Sequence, residues 1–303
     1  MSEVVRPQKQ RELHTAKIDS SVWNEFRFRP GDVIIATYEK AGTTWAQQIV
    51  AQLIFPGRDD ILLHEISPWL DLRTAPKAAT LAMLEAQKHR RMVKTHLPLD
   101  AMVYAPEAKY IYVGRDGRDI AWSLYHHLRA YTQSYLDHLN SLPGRLGPAL
   151  EKPQGSEREF FLRWLREDGS PIGSFWEHVA GWWGIRFLPN ILILHYAALK
   201  ADLPNEVVRI ADFLDAPVDA SRLDIVLEHC RFPYMKQNAE RFAPRGGANF
   251  EGGAQTFIHK GTNGRWRDVL SCTEIAEYEE TARKRLGDAC AHWLQTGDLV
   301  DGT

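Results

Sequence analysis

Four short apolar runs, each rich in β-branched or aromatic residues and each leading into a longer stretch of helical spacing, set the tightest limit on the fold. They are Asp32 to Thr37 (DVIIAT), Arg91 to Thr95 (RMVKT), Lys109 to Gly114 (KYIYVG) and Ile191 to His195 (ILILH). Near-continuous apolar runs of this length read as strands buried on both faces, because half-exposed strands alternate apolar and polar residues. Thr43 to Ile54, Arg118 to Arg129 and Phe175 to Trp183 repeat apolar residues at helical intervals. The alternation predicts an α/β fold, a central parallel sheet with helices on both faces. Ligands of such sheets bind at the carboxyl ends of the strands, so those ends are the first place to look for chemistry.

Composition narrows the class further. Of 303 residues, 44% are hydrophobic and 25% charged, which excludes disordered, collagenous and disulfide-scaffold classes. Lys plus Arg number 37 against 39 Asp plus Glu, a formal charge of -2, so no broad field exists for nucleic acid or an anionic membrane. The charges are unevenly spread, however: residues 88–129 carry eight Lys or Arg against four acids, and residues 259–267 carry three against none. Three cysteines, Cys230, Cys272 and Cys290, form no CxxC pair, which argues against a disulfide framework or a zinc site. With no apolar leader and no run of about 18 apolar residues, a cytoplasmic protein without a membrane anchor is expected. No linker or repeat is visible, so residues 1–303 read as one domain, with 1–29 as an N-terminal extension, 141–158 as a flexible loop and 241–258 as a second, glycine-bearing loop.

The first strand runs into Thr37 to Trp45 (TYEKAGTTW) and then directly into a helix. Backbone N–H groups at a helix N-terminus point at an anion, Gly42 permits close approach, the hydroxyls of Thr43 and Thr44 add donors, and Lys40 adds a charge. The fit to a triphosphate loop is poor, because Gly42 stands where GxxxxGK[ST] has lysine. No other candidate strand ends in an aspartate suited to Mg²⁺; the Lys109 strand ends instead at Gly114 and Arg115. A P-loop small-molecule kinase and a non-catalytic nucleotide-binding protein remain as alternatives.

TYEKAGTTW resembles the 5′-phosphosulfate loop of the cytosolic sulfotransferases. The resemblance continues in order through Lys94 to Pro98 (KTHLP), Tyr112 to His126, Gly173 to Trp183, Phe232 to Asn238 and His259 to Trp266 (HKGTNGRW), spanning roughly residues 30 to 270. It implies a sulfotransferase fold with a P-loop-like phosphosulfate-binding loop, and metal-independent transfer of a sulfuryl group from 3′-phosphoadenosine 5′-phosphosulfate (PAPS) to a hydroxyl or amine of a small molecule. Lys40, Ala41, Gly42, Thr43 and Thr44 then hold the 5′-phosphosulfate, and Trp45, Tyr196 and Cys230 belong to the adenine pocket. Arg115 and Ser123, with His259, Lys260 and Gly261, form the 3′-phosphate clamp. His96 is the implied general base, a role that an imidazole with a pKa of about 6.5 suits, and Lys40 and Lys94 stabilise charge on the leaving group.

Three departures from the family pattern carry expectations of their own. Glu39 replaces a proline, and its side chain is expected to point outward to a surface contact. His259 replaces an arginine, which predicts donor affinity falling from pH 6 to pH 8 as an imidazole loses its proton. Arg267, Ser271, Cys272 and Ala276 stand where the family's dimer motif would be, so dimerisation by that route is not expected. For the acceptor side, residues 66–72, Tyr125 to Tyr131 and the Pro143 loop are the candidates, and their aromatic side chains suggest an apolar or aromatic small-molecule acceptor.

Overall fold

The computed structural model describes residues 6–144 and 147–299. Its sheet has four strands, β1 (Val33–Thr37), β2 (Met92–Thr95), β3 (Lys109–Gly114) and β4 (Ile191–His195), in the order β2-β1-β3-β4. Every neighbouring pair is parallel, with Val33 opposite both Met92 and Lys109, and Gly114 opposite His195. The α/β expectation holds, and two of the four strands have the bounds read from sequence.

Successive side chains of a strand point to opposite faces, and two separate cores follow. Ile34, Ala36, Val93, Tyr110 and Tyr112 belong to one core, whereas Val33, Ile35, Met92, Ile111 and Val113 belong to the other. Helices Gly117–Arg129, Glu157–Arg166, Phe175–Gly184 and Cys272–Leu286 contribute to the first core, and helices Thr43–Ile54, Leu203–Phe213 and Ala220–Cys230 to the second. The N-terminal segment is part of the first core: Ile18, Val22, Trp23 and Phe26 are buried there. Trp23 is closed over by Phe26 and Phe28, and its Nε1–H donates to Asp71 at 2.8 Å.

The chain leaves β1 for β2 on one side and returns for β3 on the other, so β1 and β3 form a topological switch point, where such sheets open a crevice. Thr37, Thr95, Gly114 and His195 end the four strands. The next residues along the chain are Tyr38, His96, Arg115 and Tyr196. One edge of the sheet thus gathers the loop, the imidazole, the guanidinium and an aromatic ring.

Candidate active site

Above that edge lies a cavity of about 610 Å³. Lys40 and the helix N-terminus at Gly42 to Trp45 form its floor, and His96, Arg115, Ser123, Tyr196 and Lys260 also line it. Gly42 has φ 113° and ψ 19°, a left-handed conformation in which a side chain is strained. A Cβ there would also stand 2.7 Å from Cδ2 of Tyr196. Thr43 and Thr44 open the helix, so their N–H groups have no partner inside it. The Thr43 and Thr44 amides, two hydroxyls and a lysine at one helix end suit a tetrahedral anion, while the Trp45 amide is taken by the Gly42 carbonyl at 3.0 Å.

Lys40 also has positive φ, 71°. Its Nζ lies 3.0 Å from Nδ1 of His127, whose Nε2 lies 3.0 Å from the Tyr131 hydroxyl. Nδ1 accepts from the ammonium, which leaves Nε2–H to donate to the tyrosine oxygen. Burial, helped by the cations Lys94, Lys17 and Arg115 and opposed by Glu39, lowers the Lys40 pKa to about 7. Burial likewise lowers Lys94 to about 8. The Lys94 ammonium sits 4.6 Å from the centre of the Trp69 ring, a cation–π contact.

His96 is buried between strand ends. Its Nδ1 is 2.8 Å from the carbonyl oxygen of Thr37. A carbonyl only accepts, so Nδ1 carries the proton and Nε2 keeps its lone pair. Trp69 meets the imidazole edge to face at 4.7 Å. Burial, together with Lys94, pushes its pKa well below the usual histidine value, so the ring is neutral in the free protein.

Arg115 spends four of its five N–H groups on the protein. Nη1 donates to the Lys40 carbonyl at 2.9 Å, Nε and Nη2 share Oδ1 of Asn263, and Nη2 reaches the Thr262 carbonyl at 3.1 Å. The guanidinium lies 4.2 Å over the Tyr196 ring. It therefore ties the phosphate-type loop to the C-terminal basic block. That block is fixed from below as well: Asp119 accepts from the Gly264 amide at 2.7 Å, and Arg118 stacks 3.9 Å over Trp266.

The aromatic wall of the cavity is Trp45, Tyr196 and Phe232. Trp45 and Tyr196 meet edge to face at 5.5 Å, and the Trp45 indole N–H donates to the Cys230 carbonyl at 2.8 Å. Phe232 is 42% exposed, and its ring would meet a Cβ at Gly261 at 2.8 Å. An exposed aromatic beside a glycine with φ 60° is a slot for a flat ring.

Several expectations need correction. The Cys230 side chain is fully buried in the second core and does not line the cavity; only its carbonyl is used, by Trp45. Ala41 is buried in the first core and is not among the lining residues, and its amide donates to the Tyr38 carbonyl at 3.2 Å. Tyr125 also faces the core, packing on Phe160 and donating to the Gly155 carbonyl at 2.8 Å. Glu39 does not point outward. It is 4% exposed, lines the cavity, and its Oε2 pairs with the buried Lys17 ammonium at 2.5 Å. His259, exposed at the cavity rim, lies 5.1 Å from His126, and partial desolvation together with His126, Lys260 and Arg265 lowers its pKa to about 4, below the window expected for it.

The segments expected on the acceptor side differ from the lining too. Trp69, Leu72 and Tyr131 line the cavity, as anticipated, but none of the described residues of the Pro143 loop does; Tyr135, Phe250 and Phe257 line it as well. Phe250 and Phe257 belong to the 241–258 loop, which packs on His127 and Tyr131. Lys17, His127, Phe232 and Asn263 were not singled out from sequence. The helix Gly117–Arg129 did carry a signal, since Asp119, Trp122, Ser123, His126 and His127 fall at helical spacing and all face the cavity.

A family model described as the sulfotransferase domain matches residues 30–289. A glycolipid sulfotransferase of Mycobacterium bovis (strain BCG / Pasteur 1173P2) is 30% identical over 301 residues, covering 92% of each chain. Sulfotransferase 1B1 of Mus musculus is 30% identical over 272 residues, covering 86% of this chain and 85% of its own. Among solved structures, retinol dehydratase in complex with androsterone and the inactive cofactor PAP superposes with a TM-score of 0.72 at 25% identity, covering 88% of this chain and 84% of that one.

Proposed function

The chain belongs to the sulfotransferase family and is a PAPS-dependent sulfotransferase; we propose that it sulfates a hydroxyl or amine of a small apolar or aromatic acceptor, with His96 as general base. The residues present suit the donor. Lys40 and the amides and hydroxyls of Thr43 and Thr44 would hold the 5′-phosphosulfate, Arg115, Ser123, Lys260 and His259 the 3′-phosphate, and Trp45, Tyr196 and Phe232 the adenine. When bound, the donor supplies an activated sulfuryl group on a mixed anhydride.

The observation that carries this reading is the hydrogen bond from His96 Nδ1 to the Thr37 carbonyl. It leaves Nε2 as the proton acceptor for an incoming hydroxyl at the sheet edge that also holds Lys40 and Lys94. The two ammonium groups supply positive charge where negative charge grows on the leaving oxygens. An anion beside them also offsets the cations that depress the His96 pKa, so the imidazole becomes a better base once the donor is in place. Aromatic side chains on the acceptor side favour an apolar or ring-bearing acceptor.

His96→Ala tests the assignment. Turnover should fall by about 10²-fold or more, while affinity for adenosine 3′,5′-bisphosphate, read by calorimetry, stays within about threefold. A variant that transfers sulfate at the wild-type rate would remove His96 from the mechanism.

A further inference from the structure

Among the described residues the Lys40 ammonium has one hydrogen-bond partner, the Nδ1 atom of His127 at 3.0 Å. No carboxylate among those residues pairs with it, because Glu39, its neighbour in the chain, is paired with Lys17. An ammonium group carries three donors, so two are left for a ligand of the cavity that Lys40 lines. A lysine stem is flexible, and a charge that must meet a reacting oxygen gains from being held in place.

The group that holds it sits among aromatic rings. The His127 ring lies 4.9 Å from Tyr131, 5.0 Å from Phe250 and 6.0 Å from Phe257, and the Lys40 ammonium lies 5.4 Å from the centre of the Phe257 ring. A side chain that only filled space there could be apolar. His127 instead uses both nitrogens, Nδ1 toward Lys40 and Nε2 toward the Tyr131 hydroxyl at 3.0 Å. The tyrosine thereby fixes which nitrogen keeps its lone pair. Desolvation, with Lys40, Lys17, Lys94 and His96 around it, lowers the His127 pKa well below the usual histidine value. The neutral ring orients the ammonium without cancelling its charge, whereas a carboxylate in its place would weaken the pull on an anionic donor.

We propose that His127 is the positioning residue of Lys40: it pins one N–H of the ammonium, with Tyr131 setting its tautomer, and so leaves the other two for the leaving oxygen of the sulfuryl donor. The inference rests on the sulfuryl-transfer reading above, and deepens it. The helix Gly117–Arg129 carries His127, and the 241–258 loop supplies Phe250 and Phe257 against it. The place of the loop lysine is therefore decided by segments distant from it in sequence.

Two substitutions separate holding from packing. His127→Phe keeps a ring against Phe250 and Phe257 but offers Lys40 no acceptor, whereas His127→Asn supplies an amide oxygen that can take the N–H back. Melting temperatures of both variants establish that they are folded. With 2-naphthol as acceptor, His127→Phe should lower kcat by about tenfold, the effect of a hydrogen bond to a charged group, with KM for 2-naphthol within about twofold. The alkaline fall of kcat should come about one pH unit lower, because an ammonium without its acceptor gives up its proton more readily. Glu39 favours the charged form of Lys40, and Lys94, Lys17 and Arg115 oppose it, in both proteins alike, so the difference between them reads His127. His127→Asn should recover to within about threefold of the wild-type kcat. In a Lys40→Met background His127→Phe should lower kcat no more than about twofold further, since a residue that acts through another then has nothing to act on. Full additivity of the two substitutions, or an unmoved pH profile in His127→Phe, would overturn the inference while leaving sulfuryl transfer intact. Lysine ammonium resonances in NMR of the free protein, with Lys40 identified by its loss in Lys40→Met, follow the same titration with neither donor nor acceptor present. A midpoint about one pH unit lower in His127→Phe and restored in His127→Asn would sustain the hold on Lys40 even if 2-naphthol is not sulfated. An unmoved midpoint would overturn it whatever the transfer assays give.

Discussion

Lys17 Nζ and Glu39 Oε2 stand 2.5 Å apart, and each side chain is only 5% exposed. The pair joins the N-terminal segment to the residue next to the phosphate-type loop, so a stretch with the look of an extension is structurally part of the site. Removing one member of a buried ion pair leaves the other uncompensated, at a cost of about 3–5 kcal/mol. Lys17→Met should therefore lose stability of that order in denaturant unfolding at pH 7. A change below about 0.5 kcal/mol, the usual result at a surface lysine, would mean the pair is not buried in solution.

Donor binding should take up a proton on the alkaline side. With its pKa lowered to about 7, Lys40 is largely neutral at pH 8 in the free protein. A polyanion favours the ammonium form, so binding at pH 8 draws a proton from buffer, whereas binding at pH 6 finds Lys40 already charged. Affinity for adenosine 3′,5′-bisphosphate should fall up to about tenfold per pH unit above 7. Calorimetry in buffers of different ionisation enthalpy measures the uptake directly. His259, lowered to about 4, is neutral throughout this window in the free protein, so Lys40→Met rather than His259→Ala should flatten the alkaline side of the profile.

Acid should unfold the protein early. His178 is lowered to about 3 and His195 to about 4 by burial, and His96 and His127 lie well below 6.5 for the same reason. For His195 the neutral form is fully used, since Nδ1 accepts from the Ala197 amide and Nε2 donates to the Leu294 carbonyl. As pH drops below 6.5 the unfolded chain binds protons that the folded chain refuses, so stability present above 6.5 is lost as the pH falls toward the folded values. Asp71 and Asp119, raised to about 6, act in the opposite direction below that pH. Four histidines against two aspartates leave a net loss of stability between pH 6.5 and 5. Chemical denaturation across that range should show it; a flat profile would mean that these imidazoles are hydrated.

The sheet was legible because β-branched runs leave little choice: β3 and β4 have the bounds expected from sequence, and β1 and β2 begin one residue later. Gly42, Thr43 and His96 were legible for a related reason, being fixed by chain neighbours at strand ends. What failed was orientation decided by distant residues. Glu39 turns inward because Lys17, 22 positions earlier, offers a buried charge, and nothing near either residue signals the other. Cys230 and Tyr125 lie beside cavity residues in sequence but face the core. For Tyr125 the helical stripe of Ser123, His126 and His127 was available as a warning, because it leaves residue 125 on the far side.

Gly42 and Tyr196 touch so closely that even a methyl group between them would collide. The ring proposed to wall the nucleoside end rests directly on the turn proposed to hold the anionic end, with Arg115 lying across both. On that assignment the two ends of a nucleotide would be gripped by a single jaw. A ligand that fills only one end still sets the position of the other, so fragments of the donor should help or hinder each other's entry instead of binding independently.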